Sequence, residues 1–106
     1  MSEPTATILG TIELHGRRFD IMKTVFSNGR VAVLLERDGV PYSRLAVNLP
    51  QEEIQNDEFF ASTYEENAEL REPLLASGLF KDTGRRAKSA LVELELWKLT
   101  SCATLH

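Results

Sequence analysis

The sequence predicts an α+β fold: a four-stranded antiparallel meander, two short helices, then a C-terminal β-hairpin or strand completing the sheet. Three observations predict it. Alternating apolar runs are joined at Asn28-Gly29 and Asp38-Gly39, the apolar period changes after Pro50, and alternation returns in ALVELELWKLT near the end of the chain. A chain of 106 residues is long enough for one core and short for two, so a single domain over 1–106 is expected, with its ordered part over about 5–100.

The elements follow in order. In TATILGTIELHG, Ala6, Ile8, Ile12 and Leu14 face one way and Thr5, Thr7, Thr11 and Glu13 the other, the pattern of a half-buried strand. His15-Gly16 turns the chain into RRFDIMKTVFS, which places Phe19, Ile21 and Val25 on one face and Met22 and Phe26 on the other. Both faces are partly apolar, as in a strand interior to a sheet. Asn28-Gly29 and Asp38-Gly39 suit two-residue hairpin turns, which need positive φ at both central positions. Between them lies RVAVLLER, and after them VPYSRLAVNLP, where Leu45, Val47 and Leu49 alternate with Arg44, Ala46 and Asn48.

Pro50 ends the sheet because it has no N–H for a ladder bond. Beyond it Ile54, Phe59, Phe60, Tyr64, Ala68, Leu70, Leu74 and Leu75 recur at three- and four-residue spacings, predicting two helices. Asn56 or Asp57 would cap the first and Asn67 the second, Pro73 would break the second near Glu72, and Gly78 would end it. In the tail, a short strand, a basic turn and a last strand are expected, with Ala90, Val92, Leu94 and Leu96 facing inward and Leu91, Trp97 and Leu99 on the other side. The predicted core is Ile8, Ile12, Phe19, Val33, Leu45, Val47, Phe60, Leu70, Leu74, Val92 and Leu94.

Composition narrows the function classes. The chain is 42% hydrophobic and 26% charged, a globular balance, and its net charge of −4 lacks the basic footprint of a nucleic-acid binder. The charge is unevenly placed. Residues 1–49 carry six basic and five acidic side chains, residues 50–78 one and eight, and residues 79–106 five and three. The middle segment therefore holds −7 against +1 and +2. No run reaches the roughly 20 apolar residues of a membrane span. MSEPTATILG has an acid where a secretory leader would carry bases, so a cytoplasmic location is expected. Cys102 is the single cysteine and reads as a tolerated thiol, leaving no internal disulfide.

Catalytic signatures are missing. His15 and His106 are the only histidines and have no metal-ligand spacing, and no phosphate-loop, dinucleotide, nucleophile-elbow or C-x-x-C motif occurs. The sequence thus predicts no catalytic residue, no metal and no cofactor. Glu52-Glu53, Asp57-Glu58 and Glu65-Glu66 are adjacent acids on a predicted amphipathic surface, where the differing environments that acid–base pairs need are not expected. The basic turn of Lys81, Arg85, Arg86 and Lys88 either holds a phosphate or neutralises the acidic helices. For the acidic segment itself, with Glu52, Glu53, Asp57, Glu58, Glu65, Glu66, Glu69 and Glu72, two readings stand. It is a solvated helix face, or a protein-binding face whose spaced carboxylates resemble phosphates and are drawn to basic channels.

SNGRVAVLLERDGVPYSRLAVNLP, DEFFASTYEENAEL and SGLFKDTGRR together resemble a family of small proteins of unknown function carried by plasmids, integrative elements and phages. The resemblance covers roughly residues 8–99 and is most specific in DGVPYSRLAVNLP and LFKDTGRR. It carries no functional residues over. It implies a counter-defence protein of the anti-CRISPR or anti-restriction type, whose partner is a nucleic-acid-binding defence complex and which does not bind nucleic acid itself. The alternative is an assembly module of a mobile element, including a homodimer paired through a sheet edge.

Overall fold

The computed structural model describes residues 7–89 and 92–100, and for Glu65 and Glu66 the backbone alone. The expected α+β character is present, but the strands form two antiparallel sheets of four instead of one. β1 (Thr7–Leu14), β2 (Arg17–Val25), β3 (Val31–Arg37) and β4 (Val40–Arg44) make the first, in chain order. β5 (Ala46–Val47), β6 (Glu58–Ala61), β7 (Phe80–Ser89) and β8 (Val92–Leu99) make the second, in the order β5-β6-β8-β7. The predicted meander is thus real, and its last run is divided: the chain leaves the first sheet at Leu45 and enters the second at Ala46. Because of that switch Leu45 and Ala46 are both fully buried, where strict alternation would expose one of them.

The turns have two geometries. Asp38 (φ 54°) and Gly39 (φ 79°) form the expected two-residue turn, and His15 (φ 53°) and Gly16 (φ 74°) form another. At Asn28-Gly29 the loop is one residue longer than predicted. Gly29 N–H donates to the Phe26 carbonyl at 2.8 Å and only Gly29 (φ 84°) is left-handed, so Ser27 and Asn28 make the turn and the glycine closes it.

The principal core lies between the sheets. Ile12, Phe19, Ile21, Val33 and Leu35 meet Phe59, Ala61, Phe80, Trp97 and Leu99, with Leu70 and Leu74 closing one side. Phe59, Phe80 and Trp97 pack with ring centroids 5.5–6.2 Å apart. A smaller cluster of Leu49, Phe60, Leu94 and Leu96 covers the opposite face of the second sheet, with Val47 and Val92 half-buried at its border. Of the predicted core only Ile8 fails, being 48% exposed. Leu9 is an extra residue opposite the Met22–Ile21 step of β2, and this bulge turns Leu9 inward and Ile8 outward.

The acidic segment departs most from expectation. Its predicted first helix is strand β6, because Phe59, Phe60 and Ala61 are all buried and an interior strand covered on both faces reads as a continuous apolar run. Its second helix is a 3₁₀ turn (Glu65–Leu70) running into α1 (Arg71–Ala76). The break falls at the junction of the two. Pro73 sits in the first turn of α1, where no intrahelical partner awaits its nitrogen. Gly78 (φ 81°) ends α1 as expected, but Asn67 caps nothing: it is 4% exposed and bonds to Ser43 and the Arg44 carbonyl. The predicted basic turn is also a strand. Lys81, Arg85, Arg86 and Lys88 lie along β7, where Thr83, Gly84 and Arg85 bulge opposite Leu96. Thr5, Ala6, Ala90, Leu91, Cys102 and His106 lie outside the described residues. No described helix is long and apolar enough to cross a membrane.

Candidate functional site

Residues 48–57 have no ladder of their own, so their backbone groups need other partners. Two arginines supply them. Arg30, just before β3, donates from Nη1 to the Leu49 carbonyl at 2.8 Å and from Nη2 to those of Pro50 at 3.3 Å and Glu52 at 2.7 Å. Arg85, raised by the β7 bulge, donates from Nη1 to the Glu53 carbonyl and from Nη2 to Glu52 Oε1 at 2.9 Å. Its guanidinium carbon lies 5.8 Å from the Phe60 ring centroid. The result is a strap pinned over the smaller cluster. Beside it opens a cleft of about 800 Å³ walled by Arg30, Glu53, Ile54, Glu58, Thr83 and Arg85.

The predicted acidic face becomes two groups. Glu52 and Glu53 stand on the strap, with Asp57 and Glu58 where it enters β6. Glu69 closes the 3₁₀ turn and Glu72 opens α1, beyond the buried Phe59–Ala61 stretch. The side chains of Glu65 and Glu66 lie outside the described residues. Glu52 pairs with Arg85, Asp57 with Lys98 at 3.8 Å, and Glu69 with His15 at 3.3 Å. Among the described residues Glu53, Glu58 and Glu72 form no ion pair, and Glu58 instead accepts the Gln55 N–H at 2.8 Å. The four basic residues of β7 do not converge on one point: Arg85 holds the strap, Arg86 turns to Asp82, and Lys81 and Lys88 are exposed. Of these four, Arg85 alone pairs with a carboxylate of the acidic segment among the described residues.

A second polar cluster joins Arg71, Asp82, Arg86 and Glu95 across α1, β7 and β8. Glu95 accepts from Arg71 Nε at 3.0 Å, Trp97 Nε1 at 3.0 Å and Thr63 Oγ1 at 3.1 Å. Asp82 accepts from both Arg86 nitrogens at 2.9 and 3.0 Å and from Arg71 at 3.2 Å. Burial alone would raise the Glu95 carboxyl. The bonds from Arg71, Trp97 and Thr63, with the Arg71 charge, outweigh burial and hold it below its ordinary value. Asp82 is lowered chiefly by its bond from Arg86, against burial. The sequence placed Trp97 and Leu99, which alternate with Glu95, on the side of the last strand away from the core, whereas both lie buried in the principal core. The signal available was an acid two residues before a tryptophan on one face of a strand, with a lone arginine inside an acidic run.

This cluster is a brace between elements. Both of its carboxylates accept from arginine, and among the described residues no group of three His, Cys, Asp or Glu side chains converges as metal ligands do. No protein-family model matches the chain, nor does any curated protein or solved structure.

Proposed function

We propose that the chain is a non-enzymatic, cytoplasmic mobile-element protein, a counter-defence inhibitor of the anti-CRISPR or anti-restriction type. It binds the basic surface of a nucleic-acid-handling complex through the carboxylates of residues 52–72. The observation that carries this reading is the way the chain spends its cations. Arg71 is the only base between residues 51 and 72, and it turns away to Asp82 and Glu95. Arg30 gives its donors to main-chain carbonyls, which carry no net charge to cancel. Among the described residues Glu53 and Glu72 therefore stand exposed without an ion pair, Glu69 pairs with His15, and Glu53 sits on a backbone that Arg30 and Arg85 hold in place. Fixed, unneutralised charge steers a basic partner at little ordering cost.

The alternative, an assembly module pairing through a sheet edge, meets an obstacle at each long edge. Of the four terminal strands β5 has only two residues, while β1, β4 and β7 are all bulged, and Pro41 removes a donor from β4.

The test is capture of partners from a host lysate with the wild-type chain and with a variant carrying Glu53→Lys, Glu58→Lys, Glu69→Lys and Glu72→Lys. The expected partner is a complex that loses nucleic-acid binding on capture, and the reversals and about 0.5 M salt should each weaken it, since screening is then short-ranged. A partner retained through both treatments refutes the acidic-face reading.

A further inference from the structure

The corner where the chain passes from the first sheet to the second carries a single exposed cation. Arg44 ends β4 with an exposed side chain that forms no ion pair or side-chain hydrogen bond among the described residues. Two depressions meet at Ser43 and Arg44. One, of about 340 Å³, is walled by Leu34, Pro41 and Tyr42, and the other, of about 280 Å³, by Val47, Ser62, Tyr64 and Asn67. Tyr42 and Tyr64, the only tyrosines of the chain, thus stand one to each depression, 46% and 37% exposed. Exposed tyrosine and arginine beside small concavities are the residue types that dominate binding energy at interfaces.

The corner is also rigid. Asn67, buried beneath it, accepts from Ser43 Oγ and donates to the Arg44 carbonyl at 3.3 Å, fixing the backbone on both sides of the arginine. Tyr42 packs on the buried Phe19 with centroids 4.7 Å apart. A site already ordered in the free protein loses little entropy on binding.

We propose that this corner binds an extended peptide segment of a protein partner, with a carboxylate on Arg44 and an apolar or proline side chain in each flanking depression. Charge selects the occupant. A lone guanidinium complements one carboxylate, whereas a nucleic-acid strand needs several cations along its phosphates, and this chain carries a net charge of −4. Leu34, Pro41 and Tyr42 give the first depression apolar walls suited to an aliphatic or proline side chain, and in the second Val47 and the Tyr64 ring offer apolar contact beside the polar Ser62 and Asn67. This surface is independent of the acidic strap and uses none of its residues.

The probe is a rhodamine-labelled seven-residue peptide of alternating proline and leucine around one central glutamate, with a twin carrying lysine at the centre and a ten-residue thymidine oligonucleotide as the third arm. Anisotropy titration of the full chain should show the glutamate peptide binding about tenfold tighter than its lysine twin, and the oligonucleotide not at all. Arg44→Glu should invert the preference between the peptides, and Tyr64→Ala should weaken the glutamate peptide about tenfold. Arg44 is exposed, so its exchange leaves the core intact, and a circular-dichroism melt confirms folding of each variant. Equal affinity for the two peptides, no binding of either, insensitivity to Arg44→Glu, or stronger binding of the oligonucleotide overturns the proposal.

Discussion

The two sheets have the same size and pairing and are built in opposite ways. The first takes four consecutive strands from residues 7–44 and has one face on the core. The second gathers strands from residues 46–99 out of chain order and is covered on both faces, by the principal core on one side and by the strap on the other. Hairpin neighbours close short loops at small entropic cost, whereas β6 must find β8 across more than thirty residues. The electrostatics differ as well. The Arg18–Asp20 pair of the first sheet is exposed at 3.6 Å, and the arginine–carboxylate brace of the second is half-buried. Local pairing sets the strand order of the first sheet, while the second is also tied by side chains that reach across the molecule.

The largest expected effect tests the two-faced burial. Leu94→Ala, beneath the strap, should cost about 2–5 kcal/mol in denaturant unfolding, while Leu34→Ala, half-exposed on the outer face of the first sheet, should cost under about 1 kcal/mol. Equal losses would mean that the strap does not seal its face. Next, Arg30→Ala removes three bonds to strap carbonyls and should cost about 1–3 kcal/mol, with faster amide exchange in residues 49–56 and none added in β1 and β2. Uniform change across both sheets would show that the strap is not a separate unit.

Acid sharpens the contrast further. Asp82 and Glu95 both titrate lower in the folded chain than unfolded, so the stability they add is complete above their unfolded values near pH 4 and is lost as pH falls through the folded ones. Melting midpoints should therefore drop below about pH 4, and Glu95→Gln should flatten that drop while costing stability at neutral pH. An unchanged acid limb in the variant would remove Glu95 from the account. The smallest effect lies in the first sheet's turns. Asp38→Ala forces alanine to φ 54° and should cost about 1 kcal/mol, while Asn28→Ala, in an ordinary conformation, should cost about half of that.

Sequence and structure agree where the determinants are local. The β1–β4 meander follows from alternation and from Asp38-Gly39, which leaves the backbone few choices, and Gly78 marks the end of α1 for the same reason. The turn at Asn28-Gly29 was legible as a turn but not in length, since a glycine alone in the left-handed region serves a three-residue loop equally well. Phe59-Phe60-Ala61 could not be read locally. A short apolar run fits a helix stripe or an interior strand, and only its partners in β5 and β8 decide. Among the candidate site residues, the carboxylates were visible as a charge excess, but their division into strap and helix groups follows from that strand. The Arg71–Glu95 brace and the corner at Arg44 join residues 20 or more positions apart, a separation that no spacing rule encodes.

The bulges at Leu9, Tyr42 and Thr83–Arg85 have a consequence at high concentration. A growing cross-β fibril needs a flat edge on which the next strand can lay an unbroken ladder, and each long edge of this chain is interrupted within its span, with Pro41 on β4 and Lys81 and Lys88 on β7 adding further discouragement. Two copies meeting edge to edge would find their hydrogen-bonding groups out of step by one residue at β1 and β4 and by two at β7. The edges of the folded chain thus lack the flat, unbroken ladder on which a sheet protein of the same size would nucleate fibres.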